Sequence, residues 1–106
     1  MDDHPNLDLR VERTDDGVTI HVAGSIDIST APQLAEVVDA EIGAGAPKIV
    51  LDGTDLEFMD STGISVLVKA WQAMQGRATM PVVVRNLRPS VIHILEVCGI
   101  HSLVTE

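Results

Sequence analysis

Two runs, Ile49-Val50-Leu51 and Pro81-Val82-Val83-Val84, are apolar at every position, and this restricts the fold more than any other feature of the chain. A strand with one face in water alternates apolar and polar residues, so an unbroken, largely β-branched run describes a strand covered on both faces. Between the two runs, Ile64, Leu67, Val68, Trp71 and Met74 recur at the spacing of an amphipathic helix that Gly76 closes. Strand, helix, strand is the unit from which sheets with parallel neighbours are built, the helix covering the strands it connects.

Towards the N-terminus the period changes to two. From Leu7 to Val11 apolar residues alternate with Asp8 and Arg10, and Val18, Ile20 and Val22 alternate with Thr19, His21 and Ala23, as in strands with one wet face. Between them Thr14-Asp15-Asp16-Gly17 predicts a hairpin turn, because Gly17 can take positive φ without a Cβ penalty. Leu34, Val37, Val38 and Ile42 then mark a helix ended by Gly43 or Gly45. Thr30 and Gln33 have the spacing of a capping box at its start, with Pro32 tolerable in the first turn. A third helix opens at Pro89, runs through Ile92, Leu95 and Glu96 and stops at Gly99, and Ile100 to Val104 reads as a last strand. The order is β-β-α-β-α-β-α-β over a single domain, residues 1–106, without repeat, linker or low-complexity tract. Leu34, Val38, Ile49, Leu51, Ile64, Leu67, Val68, Val83 and Leu95 are its expected core.

That core must be aliphatic, because Phe58 and Trp71 are the only aromatic residues among 106. Seven Lys and Arg against sixteen Asp and Glu give a net charge of −9, spread along the chain. This disfavours nucleic acid as a partner, which needs clustered cations to displace counterions from phosphates. Met1-Asp2-Asp3-His4-Pro5 is acidic where a secretory signal is basic, and no stretch approaches the roughly 20 apolar residues of a membrane span. With Cys98 alone, these features predict a cytoplasmic protein without membrane insertion. Cys98, beside Gly99 at a helix end, is expected to be a buried structural thiol.

The stretch from Leu56 to Leu67 carries the candidate chemistry. A strand runs through a loop holding the acidic residues Asp52, Asp55 and Glu57 into a helix whose first turn holds Asp60, Ser61, Thr62 and Gly63. Asp60 or Ser61 can cap the free amides there, and Gly63 leaves room for another backbone to approach. A serine between strand and helix also suggests a hydrolytic nucleophile, but the nucleophile elbow has Gly two residues before the serine, and Met59 stands there. His21, His93 and His101 would have to supply the base. The four histidines and Cys98 lack paired metal spacing, no phosphate-binding Gly-rich loop with Lys is present, and no cofactor is implied. Trp71 and Met74 read as core, and Asp15 and Asp16 as turn residues.

Phe58-Met59-Asp60-Ser61-Thr62-Gly63 with Leu67 resembles the signature of the STAS family. Gly24-Ser25-Ile26-Asp27 is similar to that family's Gly-Glu-Leu/Ile-Asp segment, and Val97-Cys98-Gly99-Ile100 falls where the family has a helix end followed by Gly-Leu/Ile. Ser25 departs from the common Glu, and the sequence stops at Glu106, before most of the C-terminal helix that longer members carry. The resemblance implies an α/β fold, a mixed sheet of about five strands with helices largely on one face. It also implies an anti-sigma factor antagonist: a non-enzymatic binding protein whose partner is an anti-sigma factor, itself a serine kinase of the histidine-kinase-like ATPase type. Binding frees a sigma factor, and phosphorylation by the partner at Ser61, with Thr62 as the neighbouring candidate, ends it; a phosphoserine phosphatase would reverse the modification. Asp27, Asp60, Ser61, Thr62 and Gly63 form the implied partner surface. Within the same family the alternative is an interaction subunit of another assembly, such as a lipid-transport ATPase or a stress-signalling complex.

Overall fold

The computed structural model describes residues 7–105; residues 1–6, including His4, and Glu106 lie outside the described residues. Strand β1 (Leu7–Thr14) turns at Asp15-Asp16 into β2 (Gly17–Ile26), antiparallel, with Thr14 opposite Gly17. The turn needs Gly17 twice over: its φ is +148°, and a Cβ there would lie 2.1 Å from the Lys48 carbonyl oxygen. Helix α1 (Ala31–Gly43) leads into β3 (Ile49–Met59), α2 (Ser61–Ala73) into β4 (Val82–Arg85), and α3 (Pro89–Val97) with the single turn α4 (His101–Val104) follows. The four strands lie in sequence order, β1-β2-β3-β4, with β2, β3 and β4 parallel to one another.

The strand period decides which face carries the core. Val18, Ile20 and Val22 of β2, Ile49 and Leu51 of β3, and Val82 and Val84 of β4 join Leu34 and Val38 of α1, Ile64 and Leu67 of α2, and Val91, Leu95, Ile100 and Val104 in one buried cluster. All four helices thus contribute to a single covered face. Crossovers of one hand between adjacent parallel strands put successive helices on the same side. Val50 and Val83 point the other way and are buried outside that cluster, Val50 in a concavity shared with Thr19, Lys48 and Arg85. This accounts for strands apolar at every position in a sheet with helices on one side only. Of the expected core, only Val68 falls short, being half-buried.

The structure revises four expectations. Ile100 to Val104 forms a helical turn instead of a fifth strand, and it places Ile100 and Val104 in the core. The acidic stretch expected as a loop is the second half of β3. Leu56 and Met59 anchor it there, while irregular register opposite Ala23 and Ser25 leaves Asp55 and Glu57 in solvent. The capping box at α1 does not form: Thr30 is the N-cap residue but makes no side-chain cap, and the Gln33 amide donates to the Leu7 carbonyl at 3.2 Å, joining α1 to β1. Cys98 is exposed: it is the C-cap residue of α3, where the helix has run past its last buried residue, Leu95.

Candidate functional site

The start of α2 is fastened to the sheet. Asp60 occupies the N-cap in extended backbone, and its Oδ1 accepts from the Thr62 N–H at 2.9 Å and from the Thr62 hydroxyl. Its carbonyl accepts from the N–H groups of Gly63 and Ile64 at 3.1 and 3.3 Å. The Asp60 N–H donates to the Ile26 carbonyl at 3.2 Å, so the first turn of α2 is held against the end of β2. Of the two capping candidates, then, Asp60 does the capping. Ser61, next along, is exposed, and among the described residues its hydroxyl has no hydrogen-bond partner.

The close approach expected at Gly63 is made inside the chain. A Cβ at this buried position would lie 2.6 Å from Met59 Cγ and 2.9 Å from Ile26 Cγ2, so its absence lets α2 seat on the ends of β2 and β3. Thr62, half-buried, is engaged with Asp60.

Asp27 lies on the neighbouring loop with its carboxylate turned onto that loop. Oδ1 accepts from the Ser29 hydroxyl at 2.7 Å, the Ser29 N–H at 2.9 Å and the Thr30 N–H at 3.2 Å. These bonds, the Ser29 hydroxyl foremost, hold its pKa below the ordinary 3.8. Thr30, buried, donates its hydroxyl to the Ser25 carbonyl at 2.8 Å and accepts from the Asp27 N–H at 2.9 Å.

Two apolar residues missing from the sequence-derived surface flank this junction: Ile28, 79% exposed, and Phe58, 50% exposed. Phe58 is opposite Ser25 in the register, next to the Ile26–Asp60 link. No sequence signal marks Ile28, which continues the alternation of Val18, Ile20, Val22 and Ile26 and so reads as one more inward position.

Among the described residues no histidine is hydrogen-bonded to the Ser61 hydroxyl, the contact that a base activating a nucleophile makes. His21 lies on the sheet face opposite the helices, its Nε2 2.8 Å from Glu12 Oε1 and its Nδ1 3.4 Å from Asp52 Oδ2. Asp52 also accepts from the Thr54 hydroxyl and N–H, and its pKa is lowered, chiefly by the Thr54 hydroxyl. Among the described residues no group of three His, Cys, Asp or Glu side chains is placed to hold a metal ion, and no helix is long and apolar enough to cross a membrane.

The chain is 29% identical over 100 residues to the anti-sigma-B factor antagonist of Listeria monocytogenes, covering 93% of this chain and 87% of that protein. In structure it is similar to an anti-sigma factor antagonist from Mycobacterium paratuberculosis, with a TM-score of 0.81 and 26% identity over 92% of this chain and 82% of that one. The Bacillus cell fate determinant SpoIIAA in its phosphorylated form shares the fold, with a TM-score of 0.71 and 21% identity over 93% of this chain and 89% of that one. The sheet order, the capped strand-to-helix junction and these likenesses agree with the STAS domain model, which matches residues 8–105, and the chain belongs to the STAS domain family.

Proposed function

We propose that this chain is an anti-sigma factor antagonist, which binds an anti-sigma factor through the surface at the start of α2 and so frees a sigma factor. In this reading the partner is a serine kinase of the histidine-kinase-like ATPase type, and its phosphorylation of Ser61 ends the complex until a phosphoserine phosphatase restores it. The chain performs no catalysis, takes no cofactor and acts in the cytoplasm. The observation that carries the reading is the Ser61 hydroxyl, exposed and unpartnered at the first position of a helix whose cap is supplied by Asp60. Family membership and the likeness to anti-sigma-B factor antagonists support the class of partner.

A phosphate on Ser61 acts differently on the fold and on the complex. At the exposed N-terminus of a helix it meets the positive end of the dipole, a favourable term of about 0.3–1 kcal/mol, so the domain stays folded. In an interface the same −1.5 to −2 charge, roughly, would be desolvated beside the Asp60 carboxylate, at a cost large enough to separate the partners. Asp60 orients the turn and Thr62 holds Asp60, while Gly63 serves the surface by letting α2 seat where it does.

Calorimetry against a kinase of this type, with labelled ATP in a parallel assay, tests the proposal. Wild type should bind and take up phosphate at Ser61, and Ser61→Ala should bind and take up none. Ser61→Asp should bind at least about tenfold more weakly, with a melting temperature moved by only a few degrees. Equal affinities for all three would refute the switch, and continued labelling of Ser61→Ala would move the site to Thr62 or Ser65.

A further inference from the structure

The most exposed large apolar side chain among the described residues, Ile28, sits on a heavily cross-braced loop. A single exposed aliphatic residue is ordinary on a protein surface. What distinguishes Ile28 is how it is held. The residue before it, Asp27, accepts four hydrogen bonds on one carboxylate oxygen, from the N–H and hydroxyl of Ser29 and the N–H and hydroxyl of Thr30. Thr30, 1% exposed, ties the far side of the loop to Ser25 and to the Asp27 amide. The Thr30 and Ala31 amides close on the Asp27 carbonyl at 3.1 and 2.7 Å. Four residues are thus fixed around one side chain that is left in water.

We infer that Ile28 is a preset anchor for the protein partner and that Asp27 is a positioning residue that holds it, not a contact in its own right. This rests on the partner-binding reading of the α2 surface. A side chain presented on a rigid loop loses little conformational freedom on docking, which is where preorganisation raises affinity. The anchor is continuous with the Ser61 surface: Ile28 is two residues beyond Ile26, whose carbonyl holds the Asp60 amide, and Ser61 follows Asp60. Chain geometry keeps the two Cα atoms within about 18 Å, inside one standard interface patch. Phe58 adds a second apolar contact on the adjoining strand, and the exposed Glu57 next to it in the chain, with Asp60, makes the rim acidic. The complementary surface is an apolar socket rimmed by Lys and Arg on the anti-sigma factor.

The test uses a purified serine-kinase anti-sigma factor, titrated calorimetrically with the full chain. Ile28→Ala should weaken binding about tenfold to a hundredfold, the effect of leaving one aliphatic side chain unburied, with an unchanged melting temperature. Val97→Ala, which truncates an exposed apolar residue on α3, should bind as wild type does. Asp27→Ala should speed hydrogen exchange at the Ser29 and Thr30 amides and weaken binding, and the double variant should bind no worse than Ile28→Ala alone. Wild-type binding with Ile28→Ala within twofold of it would overturn the anchor and leave the kinase-binding reading standing. Losses that add in the double variant would overturn the positioning role of Asp27. Absence of wild-type binding to the kinase would overturn both readings together.

Discussion

Gly63→Ala sets two known effects against each other at the start of α2, and the structure decides which one wins. Replacing a helical Gly by Ala should stabilise a helix by roughly 0.5–1 kcal/mol, since the backbone loses less freedom on folding. At position 63, however, the new methyl would stand 2.6 Å from Met59 Cγ, 2.9 Å from Ile26 Cγ2 and 3.1 Å from Met59 Sδ, where ordinary carbon contacts need about 3.5–4.0 Å. Relief cannot come from the end of a long side chain alone, because Met59 Cγ lies close to the backbone and Ile26 is wholly buried at the strand end that holds Asp60. Overpacking of this kind costs about 1–3 kcal/mol. The net should be a loss centred on about 1 kcal/mol, or roughly 4–8 °C in melting temperature for a domain of this size. Gly43→Ala is the matched control: it is also helical, but its Cβ would meet nothing within 4 Å, so it should gain a few tenths to about 1 kcal/mol. Urea melts of both variants measure the difference directly. A Gly63→Ala protein as stable as wild type, or more so, would refute the argument that α2 depends on this approach.

Other expectations follow from the same contacts. Leu67→Ala, at a side chain 1% exposed, should cost about 2–5 kcal/mol in a urea melt, and a loss under about 0.5 kcal/mol would remove Leu67 from the core. Asp52 and Asp27 both have folded pKa values below the ordinary 3.8, so their contribution is present above the unfolded value and lost as pH falls through the folded one. Stability should therefore decline below about pH 4, and Asp52→Asn should flatten that decline; an identical profile for the variant would refute the assignment. Exposed Cys98 should react with a thiol reagent in the native protein about as fast as in urea, and protection in the native state would contradict its placement.

The periodic signals in the sequence determined most of the architecture. Apolar spacing of 3.6 placed α1, α2 and α3, alternation placed β1 and β2, and the unbroken runs placed the starts of β3 and β4. The Asp-Gly turn followed from a local rule, since the positive φ of Gly17 is a property of four consecutive residues. Local spacing also singled out Ser61 and its neighbours, because a helix start announces itself by its capping residues. Where outcomes depended on distant parts of the chain, the sequence misled or was silent. Ile100 to Val104 has the composition of a strand, and a strand or a helical turn would put positions 100 and 104 on one face alike; packing against β4 and α3 decided for the helical turn. Gln33 has the spacing of a capping box, yet it is drawn to a carbonyl on β1, 26 residues earlier. Asp55 and Glu57 read as loop, but the partner strand β2 supplies the hydrogen bonds that make them β3. The same division runs through the site. Residue type showed that Asp60, Ser61 and Gly63 belong to a capped helix start. Only tertiary packing decided that Asp60 is the cap, that Gly63 faces Met59 and Ile26, that Asp27 turns inward and that Ile28 is left in water, because burial is a relation between segments that no single segment encodes.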